Sequence, residues 1–140
     1  MATTLKALRA GLAANLATIT SIQTSGYILS NPTPPTAWVT YDDPLVEFDL
    51  TFGRGGDKWF LVVEVFVPLT TDRGGQARLD PYLEGSGATS VKAAIESDTT
   101  LGGACESCRC THIDGVGDYQ LGERGAMLGF RAHVEIITTS

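Results

Sequence analysis

The sequence predicts an α+β fold: a small single domain spanning 1–140, mainly an antiparallel β-sheet with a long hairpin, packed by an N-terminal helix and a second short helical region. Three observations predict it. Leu5, Leu8, Leu12, Leu16 and Ile19 recur at three- and four-residue spacing, the period of a helix that buries one stripe. The run Lys58 to Thr70, KWFLVVEVFVPLT, is apolar on both faces of a strand, with Glu64 its only charge beyond Lys58. Near the end, Ala132, Val134 and Ile136 alternate with Arg131, His133 and Glu135, the period of a half-wet strand.

The first helix starts where Thr3 or Thr4 can cap it, and Gly11 inside it costs about 1 kcal/mol relative to Ala, so it is expected to mark a close packing contact. Ser21 to Pro35 holds Gly26 and the NPTPP run, whose prolines lack donors, so extended or turn structure follows, with room for one short strand near Tyr27 to Leu29. Period two returns from Ala37 to Tyr41 and from Leu45 to Phe52. Gly53 to Asp57 then reverses the chain into the apolar strand, whose doubly apolar character calls for a cover on each side; a second copy of the chain is one candidate for the missing cover. Gln76 to Leu83 and Ser90 to Ser97 have helical character broken at Gly85-Ser86-Gly87, and Val91, Ala94 and Ile95 share a side. Two strands close the chain, joined by a Gly-rich turn expected at Gly115 to Gly117.

At 140 residues the chain can bury a core without metal or disulfide. Sixteen acidic against ten basic residues give −6, which argues against a dedicated nucleic-acid binder. The start lacks the continuous apolar core of a secretion signal and no run approaches the roughly 20 residues that span a bilayer, so a protein made and used in cytoplasm, without a membrane, is expected. Three cysteines crowded into six positions read as reduced thiols.

Cys105-x2-Cys108-x-Cys110-x-His112 is the one cluster with ligand types that suit zinc. Cys108 and Cys110 share a strand face with His112 by alternation while Cys105 does not, and no second ligand pair completes the set, so structural thiols are the expectation and a small zinc or thiol module the alternative. His112 and His133 fall on strands near Asp114 and Glu135; a Cys-His pair across strands would lack an oxyanion hole or a nucleophile turn. No catalytic residue and no cofactor are expected. The loops GRGGDK and TDRGGQAR do not fit a phosphate-binding loop, and their Arg54, Asp57, Lys58, Asp72, Arg73 and Arg78 read as exposed, mixed-charge contact residues.

The leading helix, the Pro-rich crossing, the long apolar hairpin, the block LDPYLEGSGATSVKAAIESDTTLGGAC and the closing ERGAMLGFRAHVEIITTS together resemble tail terminator proteins of long-tailed, siphovirus-like bacteriophages. Leu79, Asp80, Tyr82, Leu83, Gly87, Ser90 to Lys92, Ala94 to Glu96, Leu101 to Gly103, Leu128 and Gly129 carry the resemblance, which covers nearly the whole chain. It implies a virion protein assembled in the host bacterial cytoplasm as a homohexameric ring on the head-proximal end of the tail tube. The ring would end addition of the major tail tube protein and dock the head-completion or stopper protein. Another neck protein, an adaptor or stopper, is the nearest alternative. Six copies of a chain of charge −6 carry −36, so DNA would pass an acidic lumen without specific binding. The three cysteines stand where the resemblance leads one to expect Val or Thr.

Overall fold

The computed structural model describes residues 5–19, 22–25, 36–48, 56–68, 80–87, 89–120 and 126–139. Its elements are α1 (Leu5–Leu16), β1 (Gln23–Ser25), β2 (Thr36–Glu47), β3 (Gly56–Pro68), α2 (Val91–Ile95), β4 (Ser107–Gln120) and β5 (Ala126–Thr139). Among the described residues one five-stranded sheet runs β1-β2-β3-β5-β4, parallel between β1 and β2 and antiparallel elsewhere. The fold is α+β, with helices and sheet sharing one core.

α1 forms where the leucine spacing predicts it, and Leu8, Leu12 and Leu16 are fully buried. Past its end the Ile19 amide donates to the Leu16 carbonyl at 3.0 Å, a tightened turn that keeps Ile19 in the same core. A Cβ on Gly11 would lie 2.6 Å from the Leu101 Cβ, so the helix does pack closest at its glycine. Ser90 caps α2 by accepting from the Ala93 amide at 3.1 Å, and Val91, Ala94 and Ile95 are its buried side. A helical turn at 80–83 precedes it, separated by bends at 84–87 where glycine was expected to break the helix. Asn15 ties the two helices together, donating to the Ile95 and Asp98 carbonyls at 2.8 and 3.0 Å.

The core lies on one face of the sheet. Ala37 and Val39 of β2, Leu61, Val63, Val65 and Val67 of β3, alternate residues Leu128 to Ile136 of β5, and Cys108 and Cys110 of β4 meet the helices there. On the opposite face of β3 Val62 and Phe66 are also buried, within the chain: Phe66 is 1% exposed beneath Trp38 and Met127, with Tyr119 packed on the group. That end of the doubly apolar strand therefore does not need a second copy to cover it.

Three sequence expectations are corrected. The run Ala37 to Tyr41 and the start of the run Leu45 to Phe52, as far as Glu47, belong to one strand, β2, whose register against β3 shifts between Tyr41 and Val46; Pro44, which has no donor, sits in that break, and residues 49–52 lie outside the described residues. Gly115 to Gly117 form no chain reversal but an irregularity inside β4, where the register against β5 shifts between Asp114 and Gly117 and Gly115 takes a φ of 65°. Gly56 and Asp57, assigned to the reversing loop, begin β3 and pair with Thr139 and Thr138. The strand expected near Tyr27 to Leu29 lies outside the described residues, and β1 is the strand described in that region.

Candidate functional site

The most organised chemistry lies on the sheet face away from the helices. In β4 one extra residue stands between Cys110, opposite Val134, and His112, opposite His133. This bulge at Thr111 flips the alternation, because each added residue sends the next side chain to the other face. Cys108 and Cys110 stay in the core at 3% and 8% exposure, and His112 turns outward onto His133. The rings stack with centroids 4.2 Å apart and planes 10° from parallel.

His133 sits between two carboxylates. Its Nδ1 lies 2.7 Å from Asp42 Oδ2 and its Nε2 2.8 Å from Asp114 Oδ1. Asp42 is on β2 and His133 on β5, so their contact spans β3, and Val62, which pairs with His133, is fully buried. Burial alone would lower the His133 pKa, but the hydrogen bonds to Asp42 and Asp114 outweigh it and raise it above its ordinary value. Burial likewise opposes the Asp42 charge, and the His133 and Asp43 hydrogen bonds outweigh it, lowering that pKa. His112 Nδ1 meets the Thr111 hydroxyl at 2.9 Å, and its Nε2 lies 4.0 Å from Asp114 Oδ2.

Further along the same face Trp38 Nε1 donates to Glu64 Oε1 at 2.9 Å, and Arg131 Nε stands 3.7 Å from the other Glu64 oxygen. Lys58 Nζ lies 3.2 Å from Glu135 Oε1 and over the Phe60 ring, while Arg109 approaches the second Glu135 oxygen at 3.9 Å. The face is a chain of ion pairs running from strand to strand.

The four zinc candidates are not brought together. Among the described residues, the one set of His, Cys, Asp or Glu side chains close enough to share a cation is His112, Asp114 and His133. Cys105, ahead of β4, points its sulfur at the Thr99 carbonyl, and burial pushes its pKa up to about 11. Burial pushes Cys108 to about 12 and raises Cys110, so all three are thiols at neutral pH. Cys110 contacts the backbone carbonyl of His112 at 4.0 Å, and both imidazoles stack on the other face of the sheet from the buried Cys108 and Cys110, so the structure does not assemble the Cys-His pair across strands.

Of the contact candidates, Arg54, Asp72, Arg73 and Arg78 lie outside the described residues. Asp57 and Lys58 are strand residues of β3, and Lys58 is held by Glu135. Alternation places both histidines on strands without setting them against each other. The His-x-Asp spacing at 112–114 was the available signal, but pairing it with His133 requires knowing the bulge.

No known protein family matches the chain, and no curated protein matches it significantly. Among the described residues no helix is long and apolar enough to cross a membrane.

Proposed function

We propose that this protein is a structural subunit that works by self-association: a tail terminator of a long-tailed bacteriophage. It forms a hexameric ring at the head-proximal end of the tail tube, ends tube growth and presents the docking surface for the head. The observation that carries the reading is β4, a 14-residue strand at the outer edge of the sheet among the described residues; Glu96 already holds the Cys110 amide, and the rest of the edge can pair with another chain. Val116 on that strand is 56% exposed, giving the edge an apolar contact as well. The charged face beside it joins strand to strand through ion pairs, which suits a surface that must be stiff and recognisable. The resemblance over nearly the whole length supplies the ring, the tube protein and the head-completion protein as partners, and the virion as the location.

Mixing the purified protein with its polymerising tube protein and measuring tube length by negative-stain microscopy tests this. Short tubes capped by a six-fold ring are expected. Unbound protein with unchanged tubes overturns the terminator role and leaves a head-side neck component as the alternative.

A further inference from the structure

We propose that His112, His133 and Asp114 form a binding site for one zinc ion, on the sheet face opposite the helices. One ligand atom from each of the three residues lies within 4.8 Å of the other two. The decisive feature is what the other ring nitrogens do. His133 Nδ1 is engaged by Asp42 at 2.7 Å and His112 Nδ1 by the Thr111 hydroxyl at 2.9 Å. Both Nε2 atoms are left to converge on one carboxylate, Asp114, at 2.8 and 4.0 Å. Metal-bound histidines characteristically hold their second nitrogen in such a contact, which sets tautomer and ring orientation.

The donor set is two imidazoles and a carboxylate, which suits zinc at bond lengths of about 2.0–2.2 Å. Reaching those lengths requires the near-parallel rings to tilt toward a common point. His112 and Asp114 have the freedom to move, with side chains 59% and 53% exposed, while His133 is anchored at 12%. On binding, the Nε2 proton that His133 shares with Asp114 leaves to solvent, and the nitrogen lone pair and the carboxylate oxygen both turn to the metal. Asp42 stays on Nδ1. The ion would cross-link β4 to β5, and through Asp42 to β2. Three protein ligands leave a fourth position facing solvent, for water or a side chain of an adjoining subunit. The site does not depend on the assembly reading.

The test is calorimetric titration of the full chain, freed of metal by chelator and dialysis, with Zn2+ alone, alongside a visible spectrum with Co2+. One equivalent should bind. Affinity should fall at least tenfold in both His112→Ala and Asp114→Asn, and about tenfold in Asp42→Asn, which touches only the orienting contact. The Co2+ spectrum of the wild-type chain should lack thiolate charge-transfer bands, a readout that does not rely on any variant folding. No saturable binding, a thiolate band, or unchanged affinity in both the His112 and Asp114 variants overturns the site.

Discussion

The helix-covered face of the sheet and its opposite face are made by the same strands, yet different forces hold them. On the covered face, side chains at period two from β2, β3 and β5 meet α1 and α2, and the gain is removal of apolar surface from water, which depends little on direction. On the opposite face, Glu64, Arg131, Asp42, His133, Asp114, Lys58 and Glu135 succeed one another across four strands, and each contact depends on register and angle. The first face tolerates imprecision and supplies stability. The second is specified by small irregularities, the bulge at Thr111 and the break around Pro44, and it is where recognition chemistry can be built.

If that division is right, substitutions on the two faces should separate in size. The largest loss is expected from Leu12→Ala, which opens a cavity beneath a fully buried leucine and should cost about 2–5 kcal/mol in denaturant unfolding. Trp38→Phe keeps an aromatic ring against Phe66 but removes the bond to the Glu64 carboxylate; a loss of about 2 kcal/mol is expected, read the same way. A loss as large as that of Leu12→Ala would blur the distinction between the faces.

At the junction of α2 and β4 stability should depend on pH. Burial works against the Glu96 charge, but Lys92 at 2.7 Å and the Cys110 amide at 3.0 Å outweigh it and hold its pKa below the usual 4.5. A depressed carboxylate contributes stability that is present above its unfolded value and lost as pH falls through the folded one. Thermal melts of Glu96→Gln should therefore lose less stability than wild type as the pH is lowered below about 4.5; parallel acid dependence in the two proteins would contradict the assignment. The smallest effect is expected from Lys58→Met, under about 1 kcal/mol, because its ion pair with Glu135 is partly solvated.

The same division explains what was legible in the sequence. Leu8, Leu12 and Leu16, the odd positions of β3 and the even positions of β5 announce the core, since periodicity reports burial directly. The closely packed Gly11 was readable for a similar local reason, whereas Ser90, read as part of the helical stretch, turns out to be its cap. The His112–His133 stack was not, because strict alternation puts His112 with Cys108 and Cys110, and only the extra residue at Thr111 reverses it. Asp42 was invisible for a further reason: it reaches His133 from 91 positions away, across an intervening strand. Gly115 read as a turn because glycine marks bulges and reversals alike.

Hydrogen–deuterium exchange of the protein alone and mixed with the proposed partner, a tail tube protein, asks whether the sheet edge and its uncovered face are the working surface and the helical face is scaffold. New protection is expected to concentrate in β4, Ser107–Gln120, with the amides of α1 unchanged. Protection confined to α1 and α2, with β4 exchanging as in the free chain, would contradict it.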